Sequence, residues 1–294
     1  ISADLLRAEE LALMKTMRPG LIQLEIGVQS TNPQTIKAIR RTMDFEKLKG
    51  IVEQIHSFGN IHQHLDLIAG LPHESYGQFR ISFNDLYAHR PDQLQLGFLK
   101  VLKGSGMRED APGYGINWHE RAPYEVLTTD WLSYGDVLLL KGVEHMVEVY
   151  YNSRQFARTI SKIMERYASP FLFFKELADF YDREGLAGIG HARIARYEIL
   201  RRFLSEEKGW ELKEYEQCMV LDLYARENLK SRPAFAPDLS PYKEQLKIMT
   251  REYGRQVHVE VLERERRPVY VMFDYRTRDP LTGDAVMQIL EEPE

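Results

Sequence analysis

Two short runs hold the residue types best suited to chemistry, Glu25-Ile26-Gly27-Val28-Gln29-Ser30 and Asp66-Leu67-Ile68-Ala69-Gly70-Leu71-Pro72. Asp66 can accept hydrogen bonds from a ribose hydroxyl, and Gln29 can serve an amide or a hydroxyl. Arg41, in the helix expected after the first run, can hold a ligand carboxylate through two parallel hydrogen bonds. Lys100 adds a cation just past a third run, Gln93–Leu99. His62 and His64 alternate ahead of Asp66, a spacing that can ligate a metal and support hydrolysis. A polar lining for the lumen of a barrel explains the same three residues equally well and is the commoner use.

The elements that position these residues are legible from parity. In Leu21–Gln29, Gln23, Glu25, Gly27 and Gln29 share one face, and Ile22, Leu24, Ile26 and Val28 share the other. In Ile61–Ile68, His62, His64 and Asp66 oppose Ile61, Leu65 and Leu67. Successive strand side chains alternate sides, so each run predicts a strand with one apolar and one polar face. Asn32-Pro33 opens a helix in cap-then-proline order, and a helix over 45–58 stops at Gly59-Asn60. A further helix is expected over 76–89 before Pro91-Asp92 turns into the third strand. Strands joined through helices run parallel, with the apolar face under the helices. The polar face then looks into a barrel lumen, and functional groups gather at the C-terminal strand ends. Ile1-Ser2-Ala3 reads as the tail of a fourth strand, with Asp4 capping a helix to about Met17. Four strands cannot close a barrel of eight, so the fold class is α/β with a partial (β/α) barrel.

The character then changes. Residues 104–123 carry glycine and proline without a period and read as loop. Helices are expected over 129–151, 154–167, 170–183, 192–205 and 212–230, and Phe171, Phe174, Leu177, Ala178 and Tyr181 form one buried stripe. A proline-rich linker, a helix over 242–253 and two alternating runs, 257–262 and 269–275, follow, with Glu263 to Arg267 as a charged hairpin turn. The expected organisation is a partial barrel over 1–107, a loop over 108–128, a mostly helical accessory region over 129–232, and a linker, helix and small terminal β-hairpin over 233–294.

The 294 residues carry a net charge of −5, which argues against a dominant nucleic-acid footprint. No run is long and apolar enough to span a membrane, and no secretion signal is evident, so cytoplasm is the expected compartment. Cys218 is the one cysteine, which rules out an intrachain disulfide and reads as a half-buried helix residue. His119, His145, His191 and His258 are scattered and read as surface or capped residues. Gly185 to Gly190 resembles a phosphate loop but follows a helix rather than a strand, the wrong context for that motif. Glu74 reads as a helix-start carboxylate. Arg193, Arg196, Arg201 and Arg202 read as a solvated helix face, with RNA contact as the alternative.

Gly27-Val28-Gln29-Ser30, Asn32, Arg40-Arg41, Asp66-Leu67-Ile68-x-Gly70-Leu71-Pro72, Pro91-Asp92 and Lys100-x-x-Lys103-Gly104-Ser105-x-Met107 together resemble the radical S-adenosylmethionine enzymes. The similar branch holds the oxygen-independent coproporphyrinogen oxidases and elongator-type enzymes. The resemblance implies that Gln29, Arg41 and Asp66 bind S-adenosylmethionine and that Lys100 lies against its adenine. It implies a four-iron four-sulfur cluster and a 5′-deoxyadenosyl radical acting on an unknown small molecule. The longer pattern, from Ile1-Ser2-Ala3-Asp4-Leu5-Leu6 to Tyr275-Arg276-x-Arg278-Asp279-Pro280-Leu281-Thr282-Gly283, is similar to bacterial radical enzymes with an upstream cobalamin-binding domain. The family's three-cysteine motif and its glycine–glycine–acidic motif are both missing, so this chain reads either as the C-terminal part of a longer enzyme, inactive alone, which the abrupt start inside a strand favours, or as a degenerate relative. An unpaired first strand would favour self-association. The rival from another class is a non-catalytic interaction module, with the partial barrel as scaffold.

Overall fold

In a computed structural model, which describes residues 1–254, 256–264 and 267–291, the chain divides into two compact units. One comprises Ile1–Asn152 with Ser169–Gly185, the other Ser153–Ala168 with Leu186–Glu294.

The first unit opens on a short 3₁₀ turn, Ala3–Leu5, and helix α1 (Ala8–Lys15). Asp4 is not the cap of one long helix. Leu6 and Arg7 are extended, and Glu10 reaches back to accept from the Arg7 backbone N–H at 2.8 Å, so the helix starts there. No strand forms at residues 1–2; the Ile1 amino group instead donates to the Glu25 carbonyl.

Strand β1 (Gln23–Gln29), helices α2 (Pro33–Ala38) and α3 (Phe45–Phe58), strand β2 (His62–Ala69), helix α4 (Tyr76–Ala88) and strand β3 (Gln93–Phe98) follow. The local signals act as their chemistry requires. Asn32 accepts from the Gln34 N–H ahead of Pro33, Asp44 and Ser75 cap α3 and α4, and Gly59 ends α3 at φ +64°. The three strands form a parallel sheet in the order β1-β2-β3. Leu24, Ile26, Val28, Leu65, Leu67, Leu94 and Leu96 are buried on one face. Gln63 interrupts that apolar face, yet its amide donates to the Val52 carbonyl of α3 at 3.0 Å, which satisfies part of it. On the other face the register sets Glu25, His64 and Gln93 abreast, then Gly27, Asp66 and Gln95.

The stretch expected as loop is ordered. It carries helix α5 (Gly106–Asp110), a 3₁₀ turn and a ribbon of β4 (Asn117–Trp118) with β5 (Val126–Thr128). Leu71, Leu99, Val101, Ala111, Ile116 and Val126 bury one another there, a cluster too irregularly spaced to show as a period. Helix α6 (Tyr134–Val147) begins at a Ser133–Asp136 capping box and runs into a π-helical turn, Glu148–Asn152. Asn152 closes the outer edge of β3 with its side chain: its oxygen accepts from the Leu94 N–H at 2.9 Å and its nitrogen donates to the Leu94 carbonyl at 3.0 Å. After α7 (Ala157–Met164), which belongs to the second unit, α8 (Pro170–Arg183) returns to the first and buries Phe171, Phe174, Leu177, Ala178 and Tyr181 as expected.

The second unit gathers α7 with α9 (Arg193–Arg202), α10 (Lys213–Arg226) and α11 (Lys243–Tyr253), and a three-stranded antiparallel sheet of β6 (Val257–Arg264), β7 (Arg267–Arg278) and β8 (Ala285–Leu290). The buried Asp222 of α10 caps α7, accepting from the Thr159 N–H and hydroxyl at 2.8 Å and from the Arg158 N–H at 3.0 Å. β6 and β7 pair as the hairpin the alternation predicts, while Glu265 and Arg266 of its turn lie outside the described residues. β8 adds a third strand; Ala285 to Leu290 is nearly continuous in apolar residues and gives no alternation to detect. No helix among the described residues is long and apolar enough to cross a membrane.

Gly70 illustrates how tightly the ribbon meets the sheet. It sits at φ +87°, and a methyl group added there would lie 2.7 Å from a Val126 methyl carbon. Gly59 has a similar φ of +64° but open space around it. In urea denaturation Gly70→Ala is expected to lose roughly 2–3 kcal/mol and Gly59→Ala about 1 kcal/mol. Equal losses would show that the close approach of Val126 does not matter.

Candidate functional site

The C-terminal end of β1 departs from regular strand geometry. Its pairing with β2 shifts between Gly27 and Gln29, and Gln29 adopts φ +74°, uncommon for a residue with a side chain. The Gln29 amide folds back over Gly27: a Cβ at that position would lie 2.4 Å from Gln29 Nε2 and 3.6 Å from Arg41 Nη1. Only glycine leaves room for that arrangement. Asp66 stands directly across from Gly27 on β2. Gln29, Arg41 and Asp66, distant in sequence, therefore converge on the polar face of the sheet.

Gln29 Oε1 and Asp66 Oδ1 are both buried without a hydrogen-bond partner. Buried acceptors without donors are costly, and such positions concentrate at binding sites. Burial, helped by the nearby Glu25 carboxylate, pushes the Asp66 carboxyl up to about 6. The pair offers acceptors for hydroxyl or amine donors, with the Arg41 guanidinium beside them for a carboxylate. Lys100 is not part of this group. It is exposed beyond β3, in a backbone bridge with Glu125, and no contact among the described residues ties it to the other three.

Two turns must be held in register for this convergence, and one carboxyl joins them. Glu74 is fully buried, and its Oε1 accepts from Ser30 Oγ at 2.6 Å and from Ser82 Oγ at 3.1 Å. Ser30 Oγ in turn accepts from the Asn32 N–H at 3.0 Å, and the Asn32 amide donates to the His73 carbonyl at 2.8 Å. Thr31 completes the tie with bonds to Ser82 and Asp85. The turn after β1 is thus fastened to the turn after β2 and to α4. Glu74 does precede the Ser75 cap of α4, as a helix-start carboxylate would, but it is fully buried and joins two turns. Its partners lie 44 residues back and 8 ahead, beyond any local signal.

His62, His64 and Asp66 do not form a metal centre. Among the described residues no group of three or more His, Cys, Asp or Glu side chains could hold an ion. The two imidazoles lie 6.5 Å apart between centroids, and Gln23 Nε2 occupies His64 Nδ1 at 3.2 Å. The hydrolase alternative is corrected on that geometry. In the second unit Arg193, Arg201 and Arg202 pair with Glu227, Glu216 and Glu206, as a solvated helix face would.

Residues 112–267 match the family described as Protein of unknown function (DUF4080), and the chain belongs to that family. The matched span lies outside the Gln29–Arg41–Asp66 site. An oxygen-independent coproporphyrinogen III oxidase from Paracoccus denitrificans (strain Pd 1222) is 35% identical over 77 residues, which cover 26% of this chain and 17% of that protein. The solved Elp3 of archaeal Methanocaldococcus infernus, with an N-terminal deletion of residues 1–46, overlays 92% of this chain and 51% of its own at 14% identity and a TM-score of 0.38. That overlay is too loose to carry an assignment.

Burial raises the Glu74 carboxyl to about 7, against the two serine hydroxyls that lower it. A carboxyl raised on folding contributes stability that is fully present below its unfolded value of 4.5 and is lost as pH rises through about 7. Urea denaturation of wild type and Glu74→Gln should therefore differ with pH, wild type losing about 2–3 kcal/mol more than the variant between about pH 5 and 8. An equal pH slope in the two proteins would remove Glu74 from that role.

Proposed function

We propose that this chain is the C-terminal part of a radical S-adenosylmethionine enzyme and contributes the side of the site that holds the ribose and adenine of that cofactor. The observation that supports the reading best is the convergence of Gln29, Arg41 and Asp66 around Gly27. The local identity to a coproporphyrinogen III oxidase supports it from sequence.

The residues present fit S-adenosylmethionine in part. The unpartnered Asp66 and Gln29 oxygens supply acceptors for ribose hydroxyls or an amine, and the bare Gly27 lets both side chains and a ligand approach the backbone. Arg41 would hold the cofactor's carboxylate, and the Ser30–Glu74–Ser82 bonds keep these groups aligned. Lys100, set against the adenine by the resemblance, is exposed beyond β3 and has no contact with these three groups among the described residues.

An iron–sulfur cluster does not fit this chain. Such clusters are held by several cysteine thiolates. The chain has one cysteine, Cys218 of α10, whose thiol burial pushes up to about 11. In this reading the cluster ligands belong to a preceding part of a longer protein. No residue here is assigned to cobalamin.

The test is calorimetric titration of S-adenosylmethionine into the 294-residue chain and its variants. Saturable binding is expected, with Asp66→Asn and Arg41→Ala each weakening it about tenfold, the loss of one charge-assisted hydrogen bond. Absence of binding by the folded wild type, or variants that bind as wild type does, would overturn the proposal.

A further inference from the structure

Along β3, reaching Glu25 and His64 of the polar face and also lined by Leu94, Gln95 and Leu96, lies a cavity of about 340 Å³. Glu25, His64 and Gln93 line its floor, and Glu144, Glu148 and Asn152 of α6 and the following turn line its wall. Glu144 and Glu148 are four residues apart on one helix, where like charges repel. No cation is paired with either among the described residues. Lys141, on the same helix, is tied to Glu125 and lies over the Phe98 ring at 4.3 Å. Among the described residues Glu148, itself exposed, accepts from Asn152 alone, at 2.9 Å. Burial and, after it, the neighbouring Glu148 raise the Glu144 carboxyl, against Lys141, whose charge lowers it.

His64 gives an independent sign of a ligand. It is 7% exposed and lines the cavity, and its Nε2 is buried without a partner. Gln23 Nε2 donates to His64 Nδ1, so the proton of the neutral ring sits on Nε2 as an unused donor. A bare metal ion fits neither fact: the acids do not converge closely enough to chelate, and an N–H does not ligate. We propose that this cavity binds an amine-bearing small molecule, its ammonium facing Glu144 and Glu148 and an oxygen acceptor of the same molecule receiving the His64 Nε2 proton. The groups involved are not those assigned to S-adenosylmethionine, and the inference stands whether or not that assignment does.

Histidine-resolved NMR of the 294-residue chain tests it, with 4-amino-1-butanol as probe, 1,4-butanediol lacking the charge and butylamine lacking the oxygen. The amino alcohol should shift the His64 resonance saturably, butylamine should bind more weakly, and the diol should give no saturable shift. Glu144→Gln and Glu148→Gln, checked for unchanged melting, should each weaken the amino alcohol about fivefold or more. Equal shifts from amino alcohol and diol, or variants that bind as wild type, would overturn the proposal. Displacement of the probe by S-adenosylmethionine would also overturn it, because the cavity would then belong to the cofactor site.

Discussion

The Ser30–Glu74–Ser82 hydrogen bonds are the constraint on which the rest of the site depends. Two parallel strands fix their own register through backbone bonds, but the turns that leave them are free to diverge. A buried carboxyl is tolerated only where donors meet it, so Glu74 can stay buried only while Ser30 and Ser82 hold their positions. The dependence runs both ways. The serines define where the β1 turn sits, and the β1 turn carries Gln29.

Around that anchor the chain departs from ordinary geometry where a ligand would be gripped. Gln29 takes a left-handed conformation, Gly27 gives up a side chain so that the Gln29 amide can lie across it, and acceptor atoms are left buried and unused. Each departure costs free energy that packing elsewhere must offset, and such costs cluster at functional sites. The apolar face of the sheet has one such feature, Gln63, whose amide nitrogen donates to α3 while its oxygen is buried without a partner, and no strained backbone accompanies it. The contrast between the two faces is what marks one of them as the working surface.

Much of this was legible in the sequence, because the relevant signals are local. Alternation in 23–29 and 93–98 gave the polar face directly, and Asn32, Asp44, Ser75 and Gly59 act within a few residues of the helix ends they set. The candidate triad Gln29, Arg41 and Asp66 came from resemblance and was brought together by the fold. What escaped was set at long range. Glu74 is defined by serines in other elements, the ribbon over 117–128 by burial of irregularly spaced side chains, and the edge of β3 by the amide of Asn152. Asp4 failed as a cap for the opposite reason, a local competitor: Glu10 caps Arg7 more directly.

The most direct test of the central claim is a crystal structure of the 294-residue chain with S-adenosylhomocysteine, which is stable and needs no cluster. The expected result is a nucleoside whose ribose hydroxyls lie within hydrogen-bond distance of the Asp66 carboxyl, with the Gln29 amide and the Arg41 guanidinium against the amino-acid portion. A ligand bound elsewhere on the chain, with Asp66 and Gln29 still unpartnered, would contradict it.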